Sequence, residues 1–182
     1  MTATSPAAIA TEDPIGILLT EHRTILQVLS EADRERARLE QTGILRTTLW
    51  HEVLCFLRDF DHGIHHQKED RLLFSELEGC GLSVHNGPTS VLRDEHRRME
   101  HWQGRLEHAV AHRDAPRIAA AAASYCDLAR THILKENQIV FPLARRLLAP
   151  TQISLLQTEF APITADLRVD RWLPSLAQSF DV

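Results

Sequence analysis

Four histidines and two glutamates stand where a helical protein ordinarily keeps leucine. His65 and Glu69, and again His132 and Glu136, are four residues apart. On a helix that spacing puts both side chains on one face, about 5–6 Å apart at Cβ, so both can turn toward one ion. His22 stands alone between Leu18/Leu19 and Ile25/Leu26, and His96 alone between Leu92 and Met99. His132 and Glu136 fall between Tyr125 and Ile139/Val140, while His65 and Glu69 precede Leu72/Leu73. A carboxylate buried in such a stripe without a partner either destabilises the fold or shifts its pKa until it is neutral. Bound metal removes that cost. Four imidazoles and two carboxylates are too many for one tetrahedral zinc. They suit two ions bridged by carboxylates and a solvent oxygen, with iron or manganese favoured.

Long helices must carry these residues to one level. Asp13-Pro14 is a helix start, a side-chain acceptor followed by proline at the first helical position. The apolar spacing predicts helix 1 from about 14 to 40, with Ile15, Leu18, Leu19, Ile25, Leu26 and Leu29 inward. Helix 2 is expected from about 44 to 78, stopping at Gly79 and Gly81, with Gly63 tolerated inside it. Helix 3 begins near Pro88, places Val91, Leu92, Met99, Trp102, Leu106 and Val110 on one face, and ends near Pro116. Helix 4 follows to Pro150, with Ile118, Tyr125, Ile139, Val140, Leu143 and Leu147 on its stripe. Four such helices with short links predict an all-α, up-down-up-down four-helix bundle. Counting rise per residue, His22 and His96 lie ~12 Å from their helix starts, Glu69 ~13 Å and Glu136 ~18 Å from their helix ends. Antiparallel packing brings these to one level.

The expected organisation is a loose tail over 1–13, the bundle over 14–148 and a C-terminal extension over 149–182. Within the extension, TQISLLQTEF and ADLRVDRW read as two short helices covering one end of the bundle. The chain also repeats itself. TEHR at 20–23 is echoed by DEHR at 94–97, and HHQKEDRLLFS at 65–75 by HILKENQIVFP at 132–142.

These segments resemble the hemerythrin HHE cation-binding family over residues 15–148. Carried over residue by residue, the resemblance assigns His22, His65, Glu69, His96, His132 and Glu136 to the His, His-x-x-x-Glu, His, His-x-x-x-Glu ligand pattern of bacterial hemerythrin-like proteins. It implies two iron ions with an oxo or hydroxo bridge, manganese or zinc being substitutes. The oxygen-carrying hemerythrins resemble the chain in fold but use five histidines with a Glu and an Asp. Here Glu100 stands four after His96 where those carriers have a second His, and Glu136 replaces an Asp one residue further on. One histidine fewer predicts more open coordination positions, favouring reaction over reversible carriage.

Further residues border this constellation. His62 lies three before His65 and is read as a ligand, an outer donor or a boundary residue. His66 pairs with Asp70 at i+4, but only the His65 register reproduces helix 4, so His66 is read as outer or solvated. Tyr125, two turns before His132, is either an outer hydrogen-bonding partner or plain core. Glu100 and His101 are expected at the bundle edge or in solvent, and His51, His85, His108 and His112 on the surface.

Composition excludes several classes. A net charge of −5 offers no footprint for nucleic acid or an anionic membrane. The N-terminus lacks the basic start and apolar run of a secretory signal, and no uninterrupted apolar run is long enough to span a bilayer, so the cytoplasm is expected. Cys55, Cys80 and Cys126 are an odd set without close pairing and read as free thiols. The functional expectation is a di-iron protein that binds or reacts with dioxygen, peroxide or nitric oxide. As an enzyme it would consume peroxide or nitric oxide. The alternatives are iron-sulfur-centre repair or iron supply, and an iron- or oxygen-sensing module whose protein partner the sequence does not identify.

Overall fold

The computed structural model describes residues 13–165. Five helices follow one another. α1 is Pro14–Thr42, capped by Asp13, whose side chain accepts from the Ile15 N–H, and closed by Gly43 at φ 68°. That left-handed conformation favours glycine, because a Cβ there meets the neighbouring carbonyl. α2 spans 47–79, α3 is Pro88–Ala111, α4 spans 115–147 and α5 is Pro150–Ala165. The ADLRVDRW segment lies almost wholly outside the described residues, as does the tail over 1–12.

α1 to α4 form the expected up-down-up-down bundle, and two apolar clusters show its alternation. One cluster contains Ile25, Val28, Trp50, Phe56, Phe60, Met99, Leu106 and Ala129. The other contains Ile15, Leu18, Leu73, Phe74, Leu92, Val140 and Phe141, together with Leu156 and Phe160 of α5. α1 and α3 run from the second cluster to the first, and α2 and α4 run back. α5 therefore closes one end of the bundle, as the first half of the predicted extension does. Val91, Ile139 and Leu147, expected on apolar stripes, are instead exposed.

The rods α2 and α4 are not uniform α-helix. α2 contains two wide π stretches, Leu57–His65 and Lys68–Leu73, and α4 contains one, Glu136–Val140. In each the backbone bond skips an extra residue: His66 N–H donates to Asp61 C=O, Phe74 to Glu69 and Phe141 to Glu136. A π turn holds one residue more than an α turn, so the faces before and after it slip in phase; such turns gather at functional sites. This slip is why a uniform 3.6-residue period misplaces Ile139. It also lets Pro142, which has no N–H to donate, sit near the start of the α-helical segment Phe141–Leu147.

Candidate metal centre

Between the two apolar clusters lies a buried polar layer. His22, His65, His66, Glu69, His96, His132 and Glu136 are all buried, the two glutamates completely. Their ligand-capable atoms form two groups, each within 4.8 Å: His22, His65, Glu69 and Glu136; and His66, Glu69, His96 and His132. All six residues read from the repeat are thus brought together, and one more is added. His66, expected to be outer or solvated, is only 5% exposed and stacks on the His96 ring with centroids 3.7 Å apart. His65 and His66 both face inward, as adjacent residues do elsewhere in the bundle: Glu21 with His22, Glu95 with His96, and His132 with Ile133 at the matching place in α4.

The glutamates span the two groups. Glu136 Oε2 lies 3.1 Å from His22 Nε2, and its Oε1 lies 3.1 Å from His132 Nε2. Glu69 Oε1 lies 3.4 Å from His65 Nε2, and its Oε2 lies 3.5 Å from His96 Nε2. Glu69 thus belongs to both groups, and Glu136, a member of the first, reaches His132 of the second. His22 Nε2, His65 Nε2, His66 Nδ1 and all four glutamate oxygens are buried without a hydrogen-bond partner. Seven orphaned atoms converging in one layer are a steep cost for a folded protein, and cations remove it. The donor set of imidazoles and carboxylates fits non-haem iron or manganese.

The outward-facing nitrogens are held. His65 Nδ1 is 3.0 Å from Glu21 Oε2, and His132 Nδ1 is 3.1 Å from Glu95 Oε2. His22 Nδ1 is 2.8 Å from Asn137 Oδ1, and His96 Nδ1 is 3.0 Å from Asp70 Oδ2. His66 is reversed, with Nε2 3.4 Å from Asp61 Oδ1. An acceptor at the outer nitrogen fixes the proton there and leaves the inner nitrogen's lone pair free for a metal. Lys68 and Lys135 in turn hold Glu21 and Glu95 as ion pairs. Burial opposes ionisation of both carboxyls, but His65 and Lys68 hold Glu21 below its ordinary range, and His132 and Lys135 do the same for Glu95. Sequence reasoning missed Glu21, Asp61, Lys68, Glu95, Lys135 and Asn137. All but Asp61 lie inside the repeated segments, and their matched positions were the available signal.

Metal-free electrostatics fit the same picture. Burial, then the charge of Glu136, pushes Glu69 well above the usual carboxylate range. Burial would raise Glu136 too, but the His132 and His22 imidazoles hold it well below that range. His132 is pushed up to about 9; burial works against this, and the Glu136 and Glu95 carboxylates together outweigh it. Burial lowers His65, and burial with neighbouring imidazoles lowers His66 well below normal, so both are neutral as metal ligands must be.

A side network joins the second group. Buried Tyr125 donates its hydroxyl to Asp61 Oδ2, and His62 Nε2 lies 3.0 Å from the same hydroxyl. His62 therefore occupies an outer position, in contact with Tyr125 and His66. Glu100 is exposed, with Oε1 3.9 Å from His62 Nδ1, and His101, His51, His85, His108 and His112 are exposed as well.

The family model for the hemerythrin HHE cation binding domain matches residues 13–144. The chain belongs to this hemerythrin family. The matched span includes both groups, their braces and most of the four bundle helices, and it stops short of α5. A comparison of this hemerythrin domain with curated proteins found no match. The cation-binding role of the family and the two His/Glu groups agree on a metal-binding protein. No helix among the described residues is long and apolar enough to cross a membrane, and Cys55, Cys80 and Cys126 are unpaired.

Proposed function

We propose that this hemerythrin domain, over 14–148, holds two iron ions and presents them to a small oxidant: dioxygen, peroxide or nitric oxide. The observation that carries this is the convergence of seven orphaned ligand atoms with every histidine's outer nitrogen already engaged. His22 and His65 would hold one ion, His66, His96 and His132 the other, with Glu69 and Glu136 shared. When bound, an iron pair supplies reversible one-electron changes and an open position for a small ligand. The protein's own residues do the rest: Glu21, Glu95, Asp61, Asp70 and Asn137 orient the imidazoles, and the apolar clusters exclude bulk water.

His66 changes an earlier expectation. With it the ligand set is five histidines and two carboxylates, matching in number the oxygen-carrying relatives, so a missing histidine no longer argues against reversible binding. The three-histidine position is the more filled, which directs a small ligand to the His22/His65 side. The test is metal content with absorption spectra, followed by peroxide and nitric oxide. About two irons per chain with oxo-bridge bands in the near ultraviolet are expected, for a site with this many ligands. One zinc per chain without such bands would sink the reading.

A further inference from the structure

The polar network beside His66 has no counterpart in the other half of the bundle, and orienting an imidazole does not require most of it. Asp61 alone would hold His66. Yet Asp61 also accepts from Tyr125, and Tyr125 is 1% exposed, sealed from solvent. Because the Tyr125 proton is committed to Asp61, the His62 contact at 3.0 Å must be an N–H donated to the phenol oxygen. The phenol thus has a proton acceptor on one side and a donor that steadies its oxygen on the other. Asp61 Oδ1 continues the line to His66 Nε2 at 3.4 Å. A phenol gives up an electron far more easily when its proton can leave along an existing hydrogen bond. Burial raises its pKa well above normal, so it keeps that proton at rest.

We propose that Tyr125 is a redox-active residue, a one-electron donor to the metal pair through Asp61 and His66. The inference rests on the di-iron reading above, and its oxidant is a peroxide. Reducing hydrogen peroxide to two waters takes two electrons and two protons. A pair with a single ferrous ion has only one electron to give. Tyr125 gives the other: its O–H bond breaks, the proton passes to Asp61 Oδ2, the electron passes to the metal pair, and a neutral phenoxyl radical remains. Solvent supplies the two protons that complete the waters. The consequence is a full two-electron reduction in place of release of a hydroxyl radical.

This chain has a single tyrosine, which makes the assignment unambiguous. Iron-loaded protein, reduced by one electron per pair, is mixed with hydrogen peroxide, frozen, and read by electron paramagnetic resonance. The expected result is a radical signal that narrows in protein made with ring-deuterated tyrosine. Tyr125→Phe loses it at unchanged iron content, and Asp61→Asn, which keeps a hydrogen-bonding group but cannot take the proton, loses it per iron bound, the signal being normalised to iron content because Asp61 also holds His66. Protein with two irons per chain and no tyrosine-dependent radical overturns the inference and leaves the di-iron reading standing. A radical insensitive to deuteration, or one undiminished in Asp61→Asn, also overturns it. A chain that retains no iron overturns both.

Discussion

The two halves of the bundle, α1 with α2 and α3 with α4, carry the same machinery. Glu21-His22 and Glu95-His96 occupy matching places, as do His65, Lys68 and Glu69 against His132, Lys135 and Glu136. Both halves build a lysine-held carboxylate that orients a histidine on the next helix. They then diverge. His66 matches Ile133, Asp61 matches Leu128, and Tyr125 matches Arg58. Lys68 is fully buried, with its Nζ 5.6 Å from the Phe160 ring of α5, while the Lys135 side chain is 36% exposed. The repeat sets out two similar half-sites, which differ at a few positions and by one further π stretch in α2.

The comparison breaks most severely at the residues both half-sites share. Glu69→Ala or Glu136→Ala should abolish retention of both ions, since each carboxylate faces both groups. Iron per chain after gel filtration, and a marked fall in melting temperature like that caused by chelation of the wild type, are the measurements. Loss of only one ion would show that the carboxylate does not bridge.

Next comes the asymmetric ligand. His66→Leu should weaken one ion and spare the other, by more than the roughly 10–100-fold that outer partners account for. Mössbauer spectra of the wild type should show two unequal irons. Full retention in His66→Leu would return the residue to an outer role and leave the half-sites equal.

The braces sharpen the comparison further. Glu21→Gln and Glu95→Gln should each lower metal affinity by about 10–100-fold. Lys68→Met should cost more than Lys135→Met, because the buried lysine leaves Glu21 without an alternative while water can reach the exposed one. Metal-competition titrations with a chromogenic chelator rank all four variants, and equal lysine effects would deny that burial matters here.

The smallest effect is in the metal-free protein. Glu69 has a raised folded pKa, so its contribution to stability is complete below the unfolded value and is lost as pH rises through the folded one. Glu69→Gln removes that loss, and should stabilise metal-free protein at neutral pH by about 1 kcal/mol or more. Melting curves at pH 5 and pH 8 check the sign, because the variant's advantage must grow with pH.

The helical stripes and the repeated EHR and HxxxE segments made the bundle and six buried polar residues legible, since period and type alone place them in the core. The seventh, His66, was hidden by the repeat itself, because its matched position in helix 4 is Ile133, an ordinary apolar core residue. Nor does any composition signal announce a π turn. Ile139 was misplaced for that reason, just beyond Glu136. Tyr125 was noticed as a neighbour of His132, yet its partner Asp61 comes from α2, and pairing across helices needs coordinates.

Gly63 lies inside the wide turn, where an added methyl would stand 3.0 Å from the Arg58 carbonyl oxygen. A contact that tight forces the turn to adjust, so glycine here does more than fill space. The larger consequence concerns chain length. A π turn is a one-residue insertion absorbed inside a helix, so deleting one residue between Leu57 and His65 would restore the ordinary winding without touching a ligand. The wide turn keeps Trp50 and Phe56 before it, and His65 and Glu69 after it, facing one interior although an extra residue lies between them. In this fold the number of residues along one helix, as much as their identity, decides which side chains reach the buried polar layer.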